Sequence, residues 1–234
     1  MYKRVLLKLS GEQLAGKFDA GIDPEVASYF AKEIKKAQND GVQIVIVVGG
    51  GNLVRGAEIA GHGIRRVTGD HMGMLSGLIN SMAMTDIFEA QGISTRCLSN
   101  IFADQVAEMY SFRRADKHLS QSRVVIVAGG IGRPYFTHDT AAVNIALELS
   151  CEVVLKATKV DGVYDKDPVK HTDAKKFDQL PYQQALENEA IKVMDKAALG
   201  LAMEQNMPVI VFDAMREGNI SRVIAGDTIG TKVG

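Results

Sequence analysis

Apolar runs of five to seven residues recur along the chain, and stretches with helical spacing of apolar positions separate most of them. Several runs are apolar at consecutive positions, which is typical of central strands in a parallel sheet that helices cover on both faces. The pattern predicts strands at 4–9, 42–48, 93–98, 123–128, 151–156 and 208–212.

Helices are predicted between these strands. Asp23 and Pro24 suit the N-cap and first position of a helix that ends before Gly41. Further helices are predicted at 67–90, 138–149, 181–188 and 194–206. Strands and helices alternate without a break in composition. The chain is therefore predicted to form a single α/β domain over 1–234, a three-layer αβα sandwich with a mainly parallel open sheet.

The segment 67–90 is apolar around most of its helical circumference. Such a helix is either buried inside the protein or packed against another subunit. A row of methionines is more typical of packing than of a cofactor site, so we interpret this helix as a packing element.

The composition is typical of a globular protein, with 46% hydrophobic and 24% charged residues. The formal net charge of −1 offers no overall positive field for nucleic acid or an anionic membrane. Lys8 interrupts the first apolar run, and no run reaches the roughly 18 residues of a membrane span, so we expect neither a signal peptide nor a membrane helix. Cys97 and Cys151 are interpreted as small buried residues rather than a disulfide or metal pair, which is consistent with a reducing cytoplasm.

Four predicted strands are followed by loops that combine glycine with polar residues. These loops lie at 8–11, 49–56, 129–140 and 156–168. Backbone N–H groups at a glycine turn can approach an anion closely, and a following helix adds partial positive charge. In open α/β sheets ligands bind beyond the carboxyl ends of the strands, so the four loops predict a binding site at one edge of the sheet.

Common nucleotide-binding motifs do not account for these loops. The stretch VVGGGNLVRG (47–56) does not fit the G-x-G-x-x-G spacing well, and the sequence contains no P-loop or protein-kinase signature. Lys8, Arg55 and the glycine loops nevertheless suit phosphoryl transfer, in which catalysis is mainly positioning and charge neutralisation. Lys8 lies inside an apolar strand, where its charge is costly unless it has a charged partner.

Six segments resemble, in order, the motifs of the bacterial UMP kinases of the amino-acid kinase superfamily. They are KRVLLKLSGE (3–12), VVGGGNLVRG (47–56), RRVTGDHMGML (65–75), RPYFTHDTAA (133–142), LKATKVDGVYDKDP (155–168) and IKVMDKAA (191–198). The resemblance covers essentially the whole chain and implies the carbamate kinase-like fold. It also implies an N-terminal lobe over about 1–150 for UMP binding and oligomerisation, and a C-terminal lobe over about 151–234 for ATP binding.

The resemblance implies Mg²⁺-dependent transfer of a phosphoryl group from ATP to UMP, which yields UDP and ADP in pyrimidine nucleotide biosynthesis. The metal is implied to arrive on ATP, without dedicated protein ligands. The acceptor oxygen of UMP is already ionised near neutral pH, so direct in-line transfer needs no general base.

By resemblance, Lys8 and Arg55 are the catalytic cations, Asp70 accepts hydrogen bonds from the ribose hydroxyls of UMP, and Asp195 lies near the phosphates. The residues implied in ATP binding are Lys8, Leu9, Ser10, Gly11, Gly51, Arg55, Thr158, Tyr164, Asp167 and Asp195. The residues implied in UMP binding are Gly50, Asp70, Ile131, Gly132, Arg133, Pro134, Tyr135, Phe136, Thr137 and His138.

Alternatives stay open for some of these residues. Arg55 could form a surface salt bridge, and Asp70 could cap a helix without binding a ligand. His71 suits packing better than metal binding or base catalysis. The chain departs from the commonest family pattern at Arg133 and His138, where asparagine and a second threonine are usual. This departure preserves backbone contacts but changes the side chains available to uracil and phosphate.

The resemblance also implies a homohexamer, a trimer of dimers, that GTP activates and UTP inhibits. The place associated with the GTP response is occupied by Gly16, Lys17, Phe18, Asp19, Ala20 and Gly21, which differ from the usual residues. Two rival functions are a carboxylate (amino-acid) kinase of the same fold and a non-catalytic nucleotide-binding protein on this scaffold. The first would consume ATP with an amino acid, and the second would bind ATP without forming ADP.

Overall fold

The computed structural model describes residues 1–61 and 63–234, which form one mixed sheet between two layers of helices. Its strands are β1 (Arg4–Leu9), β2 (Gln43–Val48), β3 (Thr95–Ser99), β4 (Glu108–Met109), β5 (Val124–Ala128), β6 (Val154–Thr158), β7 (Gln179–Leu180), β8 (Val209–Asp213) and β9 (Thr231–Val233). Its helices are α1 (Gly11–Leu14), α2 (Pro24–Asn39), α3 (Gly56–Ile59), α4 (Arg66–Ala90), α5 (Phe112–Ser120), α6 (His138–Glu148), α7 (Tyr182–Glu187), α8 (Lys196–Glu204) and α9 (Asn219–Ala225).

The strands are hydrogen-bonded in the order β4-β3-β5-β2-β1-β6-β8-β9-β7. The first seven in this order run parallel, whereas β9 is antiparallel to β8 and β7 runs parallel to β9. The carboxyl ends of β5, β2, β1 and β6 therefore lie side by side at the centre of one sheet edge, and the four predicted glycine loops follow these strands. The α/β class and the mainly parallel open sheet are confirmed.

The two faces of the sheet bury separate apolar cores. On β1, Val5, Leu7 and Leu9 face the core beneath α2, α4 and α9, while Leu6 faces the core beneath α5, α6, α7 and α8. Because successive strand residues point to opposite faces, a strand covered on both sides must be apolar at consecutive positions. The consecutive apolar runs in the sequence have this cause.

Local capping explains where several predicted elements begin and end. The Asp23 side chain accepts a hydrogen bond from Glu25 N and caps α2, with Pro24 as its first residue, as predicted. Among the predicted boundaries that were wrong, two have a clear local cause. The strand expected from residue 151 begins at Val154, because Cys151 N donates to Ala146 O and completes the end of α6. Helix α8 begins at Lys196, because Asp195 is its N-cap.

Helix α4 is buried along only part of its circumference. Met84 and Phe88 are fully buried against the sheet, whereas Leu75, Ile79 and Met82 are 46%, 52% and 38% exposed. Their spacing of four and three residues places these three side chains on one face of the helix. No helix within the described residues combines the length and apolar character needed to cross a bilayer. An exposed apolar stripe of this kind is suited to packing against another protein surface.

We predict that the exposed stripe of α4 is a subunit interface. Light scattering should give about six times the chain mass of 25.3 kDa, the hexamer implied by the resemblance. Ile79→Glu should lower the measured mass, because it places a charge in an apolar contact. Met203→Glu, which charges an exposed methionine on α8, is the matched control and should leave the mass unchanged. A monomeric wild-type protein would contradict the prediction.

Candidate active site

A cleft of about 230 Å³ opens where the glycine loops meet at the carboxyl ends of the central strands. It is lined by Lys8, Ser10, Gly11, Glu12, Gly49, Gly50, Gly51, Thr137, His138, Asp139 and Asp195. Residues from the loops after β1, β2 and β5 and from the start of α8 thus line one site. We call this site the central cleft.

Two lysines share one carboxylate beneath the central cleft. Lys8 on β1 and Lys156 on β6 are register partners on neighbouring strands. Asp139, in the first turn of α6, pairs with both: its Oδ1 lies 2.8 Å from Lys8 Nζ, and its Oδ2 lies 2.7 Å from Lys156 Nζ. The three side chains are only 11 to 16% exposed. Lys8 therefore has the charged partner that its place in an apolar strand requires.

The cluster carries more positive than negative charge. Two ammonium groups face one carboxylate, and the amino-terminal end of α6 adds partial positive charge close by. Burial lowers the pKa of Lys156, and the Lys8 charge lowers it further, against the opposing effect of Asp139. Asp195 also acts on Lys156, and Asp195 and Glu12 line the central cleft, so the two ammonium groups offer a phosphate local positive contacts and not an overall positive charge.

Asp139 and His138, which line the central cleft, have strongly shifted pKa values. Burial alone would raise the pKa of Asp139, but Lys8 and Lys156 together lower it to about 2. Burial, and secondarily Lys8, lowers the pKa of His138 to about 4. The imidazole Nε2 is buried and has no hydrogen-bond partner among the described residues. It packs so closely on Gly77 that a Cβ there would lie 2.8 Å from it.

Asp195 joins the two halves of the site. It accepts hydrogen bonds from Ala198 N (2.9 Å), which caps α8, and from the hydroxyls of Thr137 (2.5 Å) and Thr140 (3.0 Å) on the α6 side. The Thr137 hydroxyl hydrogen, which was predicted to serve a phosphate, is thus directed to Asp195 here. Across the described residues, no three His, Cys, Asp or Glu side chains converge as a metal-binding group.

Arg55 lies beside the central cleft and pairs with two carboxylates. Its guanidinium contacts Glu12 from α1, and its Nη1 lies 3.0 Å from Glu58 Oε1 on α3. The Arg55 side chain is 48% exposed. The salt-bridge interpretation therefore describes the arrangement in this structure, and a phosphate contact stays a prediction.

Asp70 lies within α4 and is not its N-cap. The helix begins at Arg66, so the capping interpretation was wrong. Its Oδ1 accepts from Arg66 Nε (2.8 Å) and its Oδ2 accepts from Tyr135 N (2.8 Å). Tyr135 has a φ of 69°, which is unusual for a residue other than glycine, and its ring packs over the Arg66 guanidinium. Asp70 thus anchors the loop 131–138 at the mouth of the site.

The rest of the loop 131–138 is more exposed. Arg133 and Phe136 face solvent, whereas Ile131 is partly buried against the core beneath α6. Gly132 N donates to Gly129 O, which closes a tight turn, and Pro134 is half-buried. The loop is therefore in reach of the central cleft through Thr137 and His138, while its aromatic pair forms an outer wall.

A second cleft of about 370 Å³ lies beyond β6 and is lined in part by Tyr164, Lys166, Asp167 and Lys192. Two of the predicted ATP residues, Tyr164 and Asp167, are therefore brought together here. Thr158 instead uses its hydroxyl inside the loop, where it donates to Val160 O (2.6 Å). We call this site the outer cleft.

Of the predicted ATP-binding residues, Leu9 has only its backbone near the loops. The Leu9 side chain is fully buried in the core beneath α2, because alternate residues of β1 point to that face. Only the Leu9 backbone lies near the loops, and its carbonyl accepts from Gly49 N (3.0 Å).

The segment 16–21, predicted to respond to GTP, forms a turn on the surface. Lys17 pairs with Glu25 (3.1 Å), and Gly21 exchanges hydrogen bonds with Asn52. Asn52 also pairs with Asn80 of α4 through buried side-chain amides. This route links the turn to the glycine loop after β2, and the GTP response itself stays a prediction.

Sequence reasoning missed three charged residues that line or support the central cleft: Glu12, Asp139 and Lys156. A signal was present for two of them. Lys156 is a second lysine inside an apolar strand, which raises the same need for a partner as Lys8. Asp139 follows Thr137 in the first turn of a predicted helix, next to a loop already assigned to phosphate.

Comparison with known proteins gives consistent similarities. The amino acid kinase family matches residues 3–213. A uridylate kinase of Xanthomonas euvesicatoria is 48% identical over 232 residues, which are 99% of this chain and 96% of that protein. The crystal structure of UMP kinase from Bacillus anthracis has a TM-score of 0.95 and 35% identity, covering 100% of this chain and 96% of that one. UMP kinase from Ureaplasma parvum has a TM-score of 0.92 and 30% identity, covering 100% and 99%.

The shifted pKa values predict two steps of acid destabilisation. His138 stays neutral in the folded protein down to about pH 4, whereas the unfolded chain binds this proton below its ordinary pKa of 6.5. The free energy of unfolding should therefore fall as the pH drops from 6.5 to 4. Asp139 stays ionised to about pH 2 when folded but has an ordinary pKa of 3.8, so stability falls further between these values.

His138→Gln should remove the first step and leave the second. Between pH 7 and pH 4.5, the free energy of unfolding measured with urea should fall by about 2 kcal/mol less in this variant than in wild type. His171→Gln, which changes an exposed histidine, is the control and should follow the wild-type curve. Equal losses in wild type and His138→Gln would show that the His138 imidazole does not titrate as described.

Proposed function

The chain belongs to the amino acid kinase family, among its uridylate (UMP) kinases, and from that premise we propose that it transfers the γ-phosphoryl group of ATP to UMP. The products are UDP and ADP, and the reaction serves pyrimidine nucleotide synthesis in the cytoplasm. The observation that carries this proposal is the buried Lys8–Asp139–Lys156 cluster, with two ammonium groups on one carboxylate, directly beneath the central cleft.

UMP is proposed to place its phosphate in the central cleft against the Gly49–Gly51 turn. The loop 131–138 would surround the uracil, with Tyr135 and Phe136 as its outer wall. Asp70 uses one lone pair of each oxygen for Arg66 and Tyr135, so each oxygen keeps a second lone pair for a ribose hydroxyl. Asp70 can therefore anchor the loop and the ribose together.

ATP is proposed to place its adenosine portion in the outer cleft and its phosphates against Ser10 and Gly11 in the central cleft. Tyr164 supplies an aromatic ring, and Asp167 supplies a carboxylate, to the outer cleft. The central cleft is lined mainly by residues before 140 and the outer cleft by residues after 159, which fits a division into a UMP lobe over about 1–150 and an ATP lobe over about 151–234. Magnesium is proposed to arrive on the ATP phosphates, where it supplies further positive charge.

In the proposed reaction an anionic phosphate oxygen of UMP attacks the γ-phosphorus of ATP in line. A bond forms between this oxygen and phosphorus, and the bond from phosphorus to the β–γ bridging oxygen breaks. Lys8 would stabilise the charge on the transferring group, and Asp139 holds the Lys8 ammonium at the cleft floor. Arg55 would add a second cation from the β2 side. Because the acceptor is already ionised, no side chain has to remove a proton.

Regulation and assembly are proposed from the same family membership. We propose a hexamer of three dimers, with GTP as activator and UTP as inhibitor. The hydrogen bonds from Gly21 through Asn52 to the glycine loop after β2 offer a path by which the turn 16–21 could affect the central cleft.

We predict that UMP is preferred over dUMP. A carboxylate placed to accept a ribose hydroxyl is left partly unpaired when that hydroxyl is missing, which costs about 1–3 kcal/mol in kcat/KM. A coupled ADP-release assay with UMP, dUMP, CMP and several amino acids measures this preference and also tests the rival carboxylate kinase. Asp70→Asn should reduce the discrimination, while Asp86→Asn, an exposed carboxylate on the same helix, should preserve it. Equal kcat/KM for UMP and dUMP would exclude the proposed role of Asp70.

We also predict that Lys8→Ala lowers kcat by at least about a hundredfold, the usual scale for removing one preorganised electrostatic contact. The fold should persist, because Asp139 keeps Lys156 as its partner. Steady-state kinetics and thermal unfolding separate these effects, with Lys32→Ala on the exposed surface of α2 as the control. If Lys8→Ala turns over UMP at the wild-type rate, Lys8 has only a structural role.

A further inference from the structure

The one-turn helix α1 is held in a fixed position by the buried side chain of Gln13. Gln13 Oε1 accepts from Ser10 N (2.9 Å), and Gln13 Nε2 donates to Thr158 O (3.2 Å) at the end of β6. Only 2% of Gln13 is exposed. The turn is thereby tied to the strand that leads into the outer cleft.

The same turn packs directly on the glycine loop after β2. A Cβ on Gly11 would lie 2.6 Å from Gly49 O and 2.8 Å from Gly51 N, so only glycine allows this approach. Glu12, the next residue, lies beside Gly51: a Cβ on Gly51 would be 3.4 Å from Glu12 Oε1. The Glu12 side chain therefore extends along the wall of the central cleft.

Glu12 reaches Arg55 from the cleft side. The other carboxylate that contacts Arg55, Glu58, is three residues further along the same chain and is not a lining residue of the central cleft. Without Glu12, the half-exposed Arg55 side chain would keep Glu58 as its ion-pair partner. Its guanidinium would then be held beside α3. A long side chain loses less conformational freedom on binding when it is already oriented.

We infer that Glu12 is a positioning residue for UMP phosphorylation: anchored on α1, it holds the Arg55 guanidinium over Gly51, facing the phosphates in the central cleft. This inference rests on the proposed function. Glu12 also competes with phosphate for Arg55, but an exposed ion pair is weak enough for a charged phosphate to share or replace it. Orientation is proposed as the larger effect, and the sign of the change in UMP binding measures it.

The test is a double-mutant cycle with Glu12→Gln, Arg55→Ala and the double variant. At saturating ATP, Glu12→Gln should lower kcat/KM for UMP about fivefold, the scale of one exposed ion pair. UMP binding measured by calorimetry should weaken in the same direction. In the Arg55→Ala background, Glu12→Gln should have no further effect, because the group that it positions is gone. Asp227→Asn breaks an exposed pair with Arg222 far from the cleft and is the control.

Two outcomes overturn the inference alone. If Glu12→Gln loses the same factor with and without Arg55, Glu12 acts on the ligand or the fold and not through Arg55. If Glu12→Gln equals wild type or binds UMP more tightly, Glu12 only competes for Arg55. A wild-type protein that turns over no UMP would instead overturn the proposed function, and this inference with it.

Discussion

Sharing of the Asp139 carboxylate between Lys8 and Lys156 is the interaction on which the site depends. It joins β1, β6 and the first turn of α6, three elements that are distant in the sequence. Removing Asp139 would leave two buried ammonium groups without this partner, which is strongly destabilising, whereas removing one lysine leaves a balanced pair. The cluster therefore requires the strand register that places Lys8 beside Lys156, and it sets the charge of the cleft above it.

The parallel sheet brings together, without a long loop, the groups that are proposed to face phosphate. Because β5, β2, β1 and β6 are neighbours with their carboxyl ends aligned, short turns after each strand reach the same cleft. Side chains then fix the turns to one another: Gln13 joins the turns after β1 and β6, and Asp195 joins α6 to α8. The arrangement preorganises charge and leaves little to rearrange around a phosphate.

Most of the parallel fold could be predicted, because buried strands and amphipathic helices follow simple periods. The helix α5 was missed because its sequence FRRADKHLS is short and mainly polar, although its three apolar residues, Phe112, Ala115 and Leu119, lie at helical spacing. The strand β9 is three residues long, and its antiparallel pairing depends on contacts with β8. In the site, Lys8 could be identified because an unpaired lysine charge in an apolar strand costs free energy. The Arg55–Glu12 contact could not be predicted, because it depends on how the loops after β1 and β2 meet in space.

Both outermost strands of the sheet are two residues long. β4 ends one side with Glu108 and Met109, and β7 ends the other with Gln179 and Leu180. A long free edge would offer unpaired backbone groups to a strand of another copy, and such edges promote aggregation. Here each edge offers too few of these groups to extend the sheet. Contacts between copies of the chain are therefore expected to use side chains, such as the exposed stripe of α4, and not strand pairing at these edges.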